Sequence, residues 1–269
     1  MANETLLSLL TRQWPDSSRR TLRQWIAQGR VFSYGKRLTS SHLSLPSDTP
    51  LTIKKISPPA PHGLKIVYED RYLIVVDKPS GLLTVATPSR GSLNVHHILK
   101  RRKGSAVYPV HRLDRGASGI LVFAYHKDTK DKLKDLFSRH EITREYVALA
   151  EGYLHQKKGT WRCPLMEGAD LSVRPHPEGA IAITHYSIIK EKFPYTLLAI
   201  SLETGKKHQI RVHAAEAGIP LAGDKRYGAL TDPLGRLALH ARRLRFLHPQ
   251  THKEIDCHSP SPLHSKDWL

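Results

Sequence analysis

The prolines of ISPPAPHG, residues 56–63, constrain the organisation of this chain more than any other stretch. Consecutive prolines fix φ and remove backbone donors, so neither a helix nor a central strand runs through them. The sequence therefore predicts a small unit over 1–55, a linker over 56–63 and a larger body over 64–258. The Ser/Pro-rich end, SPSPLHSKDWL at 259–269, is expected to be a flexible tail. A length of 269 residues accommodates two such units, and 39% hydrophobic residues supply a core, which excludes a wholly disordered chain.

Charge narrows the partners. Lys and Arg number 42 against 24 Asp and Glu, a net +18. An excess of that size repels itself until a polyanion, nucleic acid or an anionic membrane surface, relieves it. The apolar runs at 73–76 and 120–124 are far shorter than the ~20 residues a bilayer requires. The basic clusters lie beside turns, so the expectation is RNA and no membrane. Cys163 and Cys257 are the only cysteines, which excludes a disulfide-dense scaffold and a Cys-based zinc finger. Glu4 precedes the first apolar run and no basic segment leads it, so no signal peptide is expected and the chain reads as soluble and cytoplasmic. The 17 histidines show no H-E-x-x-H spacing, and no metal is expected. There is no P-loop, no G-x-G-x-x-G and no G-x-S-x-G.

In the N-terminal unit, Leu6, Leu7, Leu9 and Leu10 predict one helix, which Pro15-Asp16 breaks. Ser17 or Ser18 caps a second helix carrying Leu22, Trp25 and Ile26, with Gly29 as its C-terminal cap. A strand at 31–33, a turn at Tyr34-Gly35 and a strand at 51–53 follow. Arg19, Arg20 and Arg23 face away from the apolar stripe, and Arg30 lies just beyond. Such bases form either a solvated face or a phosphate-contacting surface. The string SSRRTLRQWIAQGRVFSYGKRL resembles the S4 RNA-binding module, with Tyr34-Gly35 where that module usually has Asn-Gly.

The body predicts strands at 64–69, 72–76, 107–110, 120–125, 146–150, 181–189 and 196–202. Helices are predicted from an Asp128 cap to about 139 and from His208 to 217, ending at Gly218, with a further short element at 237–246. Strands outnumber helices without a βαβ rhythm, which indicates an α+β fold with a mixed sheet. Two polar strings sit at predicted turns. In HRLDRGASG, Asp114 lies between Arg112 and Arg115, an arrangement that suits either a nucleophile or base held ionised, or a loop ion pair. In TGKKHQIRVH, Lys206 and Lys207 precede a helix start with His208 and Arg211 three apart, which suits phosphate binding or a plain basic helix start. Lys100-Arg101-Arg102-Lys103 before Gly104 reads as a solvated turn or an RNA-backbone contact, and Arg242, Arg243 and Arg245 carry the same two readings.

Taken together, HRLDRGASGILVFA, REYVALAEG and GKKHQIRVHAAEAGIPLAGDKRYG, with VVDKPSGLLT before and LALHARRLRFLHP after, resemble the ordered motifs of RluA-type pseudouridine synthases over about residues 65–250. The resemblance implies a mixed, mainly antiparallel sheet with a central cleft and a small α/β S4-like domain before it. It implies isomerisation of uridine to pseudouridine in structured RNA, ribosomal RNA before transfer RNA, without a cofactor and with nothing demanding more than a monomer. By the same resemblance Asp114 is the nucleophile, acting at C1′ or at C6. Arg211 pairs with it and offsets the desolvation of a closed site. Tyr146 stacks on the base or relays the C5 proton, and Arg112 fills the stack behind a flipped base. Arg19, Arg20, Arg23, Lys206, Lys207 and His208 are the RNA-binding candidates.

Three departures stand out. Gly116 and Ala117 replace bulkier residues after HRLD-x, which removes side chains that could brace the loop. Lys206 stands where an Arg is usual, losing the bidentate fork. Tyr34 alters the turn of the first unit. The alternative is a non-catalytic RNA-binding or ribosome-assembly factor on the same fold. Under both readings the logarithm of the RNA association constant is expected to fall linearly with the logarithm of salt concentration, by about 0.7 to 0.9 per phosphate neutralised. Fluorescence anisotropy with labelled RNA measures the slope, and a flat line would refute the electrostatic reading of the charge.

Overall fold

The computed structural model describes residues 3–27, 30–53, 64–86 and 93–264. The chain divides into two compact units, residues 1–59 and 60–269. The predicted linker over 56–63 and the Gly29 cap lie outside the described residues.

The first unit contains β1 (Asn3–Thr5), α1 (Leu6–Gln13), α2 (Arg19–Ala27), β2 (Val31–Ser33), β3 (Lys36–Leu38), β4 (Ser44–Pro46) and β5 (Thr52–Ile53). Thr5 caps α1 by accepting from the Ser8 amide at 3.2 Å, and Ser18 caps α2 by accepting from the Thr21 amide at 3.2 Å. Leu6, Leu9 and Leu10 of α1 meet Leu22 and Ile26 of α2 in a core closed by Val31 and Leu51. β1 pairs with β4, and a three-stranded sheet runs β3-β2-β5. Arg19, Arg20 and Arg23 are exposed on α2.

The second unit is an α+β body on an eleven-stranded sheet. Its strands are β6 (Lys65–Glu69), β7 (Leu73–Lys78), β8 (Tyr108–Pro109), β9 (Ser118–Ala124), β10 (Thr143–Glu151), β11 (Lys158–Glu167), β12 (Val173–Pro175), β13 (Ala180–Lys192), β14 (Tyr195–Leu202), β15 (Leu239–Leu247) and β16 (Glu254–His258). The helices are α3 (Val95–Lys103), α4 (Lys127–Ser138) and α5 (Gln209–Glu216). The order is β12-β11-β13-β14-β10-β15-β9-β7-β6, with β16 beside β15 and β8 beside β9. Among the described strands every pairing is antiparallel except β9 with β15, where His240 lies opposite Ser118 and Ala241 opposite Gly119. That single parallel seam joins two antiparallel halves.

β9 is buried along its whole length, and its side chains alternate between two cores. Leu121 and Phe123 face one core with Leu113, Tyr146, Ile210 and Ala214, while Ile120 and Val122 face the other with Leu133 of α4. Full burial of each such apolar side chain contributes about 1.5–3 kcal/mol, so the central strand anchors both layers. α5 and the loop before β9 lie over the first core, and both thereby meet Tyr146.

Several expectations are corrected. The cap of α4 is His126, and Asp128 sits in the first turn, where a carboxylate still favours the helix dipole. α5 begins at Gln209 because His208 adopts φ +53° and makes no side-chain cap. Residues 100–103 are the last turn of α3, closed by Gly104 at φ +69°, with Lys100, Arg101 and Lys103 exposed to solvent. There Arg102 donates to Glu69 through Nη1 at 2.8 Å and Nη2 at 2.7 Å, a half-buried structural pair. The hairpin β11–β12 escaped the sequence pattern because β11 is largely solvent-facing and carries Pro164. The tail is packed as far as Leu263, which is fully buried, and Ser259 Oγ donates to Asp77 at 2.6 Å. No helix among the described residues is long and apolar enough to cross a membrane.

Gly119 makes the parallel seam possible. Its φ is +112°, and a Cβ there would lie 2.1 Å from the Ala241 carbonyl oxygen. Gly119→Ala is expected to destabilise the body by about 3 kcal/mol or more, read as a loss of several degrees in thermal midpoint or as insoluble protein. A variant that melts like the native chain would show the seam to be tolerant.

Candidate active site

Three segments meet above the first core. They are the loop 110–117 before β9, the bulged start of β10, and the turn 203–208 leading into α5. Together they line an open cleft walled by Arg112, Asp114, Tyr146, Lys206, His208 and Arg211.

Asp114 and Arg211, 97 residues apart in sequence, are joined by a hydrogen bond from Arg211 Nη1 to Asp114 Oδ2 at 3.1 Å. The stronger hold on Arg211 comes from elsewhere. Its Nε and Nη2 donate to the two carboxylate oxygens of Asp224 at 2.6 and 2.7 Å. The Asp224 side chain is 1% exposed. This planar two-point fork aims the remaining nitrogen at Asp114. Burial works against the Arg211 charge, and the carboxylates of Asp224 and Asp114 more than offset it, lifting its pKa above the ordinary arginine value. The Tyr227 ring packs 4.9 Å from the guanidinium carbon. Asp224 and Tyr227 were not foreseen as site residues, although GDKRYG, which carries both, lies in the recognised motif.

α5 is fixed by Gln209, which is buried. Its amide oxygen accepts from Thr204 Oγ1 at 2.8 Å and from the Lys206 amide at 2.9 Å. Its amide nitrogen donates to the Ile183 carbonyl and to Thr184 Oγ1, both at 2.9 Å. All four hydrogen-bonding positions of the side chain are therefore used, and this locks the first turn that carries Arg211. His208 bends into the left-handed region so that Nδ1 reaches the Tyr227 hydroxyl at 2.7 Å. Burial lowers the His208 pKa to about 4, with Asp114 pulling the other way. The imidazole is neutral near pH 7, and its Nε2 stands 3.8 Å from Asp114 without forming an ion pair.

The Asp114 loop is braced from below by KPSGLLT, residues 78–84. Lys78 is fully buried, and Nζ donates to the carbonyls of Pro79, Leu82 and Ala117 at 3.0, 2.8 and 2.5 Å, with Arg115 at 3.4 Å. Burial brings its pKa down to about 7, partly countered by Asp114. Thr84 Oγ1 accepts from the Leu113 amide and donates to the Leu113 carbonyl. Ser80 Oγ donates to the Gly116 carbonyl at 2.6 Å. The small residues at 116 and 117 therefore leave the loop well held, contrary to expectation. A Cβ on Gly116 would meet Leu237 Cβ at 2.9 Å, and Ala117 is buried. The loop is tied mainly through its backbone, with Arg115 Nε adding a bond to the Gly81 carbonyl at 3.1 Å.

Tyr146 lies under the cleft. The β10–β15 register shifts between Glu145 and Tyr146, and such a bulge re-aims a side chain beside a site. Burial raises the phenol pKa, so the hydroxyl stays protonated at neutral pH. Arg112 and Lys206 stand exposed at the rim. Lys207 is turned away from this arrangement, because Nζ donates to Glu167 and to the Leu171 carbonyl. Arg243 forks onto Asp256 and reaches Glu145, so it also serves the sheet. Arg242 reaches Glu145 at 3.3 Å and Arg245 reaches Glu254 at 3.8 Å, both at the surface.

Comparisons with known proteins bear on the body that carries this cleft. The family profile described as RNA pseudouridylate synthase matches residues 72–216. The chain is 36% identical over 215 residues to the RNA pseudouridine synthase YhcT of Bacillus subtilis, covering 76% of this chain and 70% of that one. It is 32% identical over 291 residues to ribosomal large subunit pseudouridine synthase D of Salmonella typhimurium, covering 97% and 88%. In fold it resembles the solved human RNA pseudouridylate synthase domain containing 1, with a TM-score of 0.63, 24% identity and coverage of 74% and 84%.

If Asp224 aims Arg211, then Asp224→Asn keeps the shape but weakens the fork. The expected result is a turnover loss of about a hundredfold from misplacement of the site, with RNA affinity unchanged within about twofold. Single-turnover kinetics and anisotropy separate the two. Native turnover in this variant would remove Asp224 from the site.

Proposed function

The chain belongs to the RNA pseudouridylate synthase family and is an isomerase of that class. From that premise we propose that it converts uridine to pseudouridine in ribosomal RNA, with Asp114 as the nucleophile on a flipped-out base. The observation that carries this reading is the line Asp224–Arg211–Asp114, which ends in an open cleft above Tyr146.

The reaction breaks the N1–C1′ bond, turns the base and forms C5–C1′, while C5 loses a proton and N1 gains one. Atoms and charge balance without redox, so an acceptor-only carboxylate beside a fixed guanidinium is sufficient chemistry. Asp114 has both properties, and 19% exposure of its side chain leaves it reachable from the cleft. A base admitted there would lie against Tyr146, whose protonated hydroxyl is suited to relaying the C5 proton. Arg112 at the rim is long enough to occupy the gap left in the RNA stack, and flipping costs a few kcal/mol that such a filler offsets in part. Lys206 and the neutral, hydrogen-bonding His208 complete the rim toward phosphate and ribose.

The ribosomal target is supported by the name of the Salmonella relative, which spans nearly the whole of this chain. The first unit, with its exposed Arg19, Arg20 and Arg23, is proposed as an S4-like RNA grip attached to the catalytic body. A ribosomal substrate would put the enzyme in the cytoplasm.

Asp114→Asn is expected to abolish pseudouridine formation, a loss of at least 10³-fold, while RNA affinity changes by less than about twofold. Chemical mapping of pseudouridine in ribosomal RNA from a deletion strain, complemented with native or variant chain, identifies the position. Native levels of product from the Asn variant would overturn the assignment.

A further inference from the structure

The hairpin between β2 and β3 turns in two residues, with Ser33 paired to Lys36. Tyr34 has φ +44° and Gly35 φ +79°. Two consecutive positive φ values are the requirement of the tight hairpin turn that Asn-Gly fills without strain. A bulky aromatic residue in the first of these positions is strained. Strain of that kind is ordinarily offset by packing, yet the Tyr34 side chain is 84% exposed and adds nothing to the core of its unit. Between residues 19 and 37 the sequence has six Lys or Arg and no Asp or Glu. The exposed ring therefore sits in the most one-signed stretch of the first unit, in a family whose substrate is RNA.

From exposure, strain and charge we propose that Tyr34 is an RNA contact: its ring stacks on an unpaired base while the exposed Arg19, Arg20 and Arg23 of the same unit hold the flanking phosphates. The proposal rests on the RNA substrate of the reading above and adds that the first unit selects single-stranded or looped RNA. Aromatic rings stack on any exposed base face but not on bases sealed inside a duplex stack, so the contact favours a loop over a helix and not one sequence over another. An Asn at this position would relax the backbone and lose the ring, while a Phe would keep both the strain and the ring. Stability and binding are thus expected to move in opposite directions, which a packing role for Tyr34 would not produce.

The test uses the full chain and two fluorescein-labelled RNAs, a hairpin with an unpaired loop and a blunt duplex of the same length. For Tyr34→Asn, hairpin affinity is expected to fall about tenfold, the stacking of one base, with duplex affinity unchanged and the thermal midpoint raised by a few degrees. Tyr34→Phe is expected to match the native chain on all three readouts. Unchanged hairpin affinity in the Asn variant, an equal fall on both RNAs, a lowered midpoint, or a Phe variant as weak as the Asn variant would each overturn the proposal. Pseudouridine yield from the native chain is scored separately. A catalytically inert native chain would sink the reading of Asp114 and leave the loop-against-duplex comparison intact.

Discussion

Arg211 is a cation suspended between two carboxylates, and the rest of the catalytic body is arranged around that suspension. Asp224 takes two of its nitrogens at 2.6 and 2.7 Å in a site closed to water, and only the third is left for Asp114 at 3.1 Å. A single buried ion pair would meet its desolvation with difficulty, but a two-point fork satisfies the charge and fixes its direction together. Asp114 can then remain partly open to the cleft, because the residue facing it does not move. The division of labour is visible in exposure: 1% for the Asp224 side chain, 12% for Arg211 and 19% for Asp114.

Two further devices bring that pair together. Gly119 allows β9 and β15 to run parallel at a separation no side chain would permit, and this seam joins the antiparallel half bearing α5 to the half bearing the Asp114 loop. Lys78 then gathers the Pro79 and Leu82 carbonyls of its own segment and the Ala117 carbonyl of the Asp114 loop around one buried amine. A buried lysine is rare without partners, and here the partners are backbone oxygens that would otherwise be left unsatisfied at a sharp turn. The loop is thus rigid although its own residues at 116 and 117 are Gly and Ala.

The basic charge of the chain is less uniform in purpose than its total suggests. Arg102 is consumed by Glu69, Lys207 by Glu167, and Arg243 by Asp256 and Glu145. Arg112 and Lys206 at the cleft, with Arg19, Arg20 and Arg23 on α2, remain solvent-facing. The surface available to RNA phosphates is therefore a subset of the bases. Which bases belong to it depends on where acids on neighbouring strands happen to lie.

Local pattern determined much of this protein. Apolar periodicity set α1, α2 and α4 to within a few residues, short β-rich apolar runs set β7, β9, β10 and β14, and strand-rich spacing set the α+β class. The motif order also pointed to Asp114, Tyr146 and Arg211 as one site, and the structure brings their segments to one cleft. What local pattern could not determine is anything carried by pairs distant in the chain. The fork from Asp224, the clamp by Lys78 and the diversion of Lys207 and Arg102 into structural ion pairs belong to this class. So does the parallel seam at Gly119. A side chain's partner is set by which strands become neighbours, and that is decided only when the whole sheet closes over its two cores.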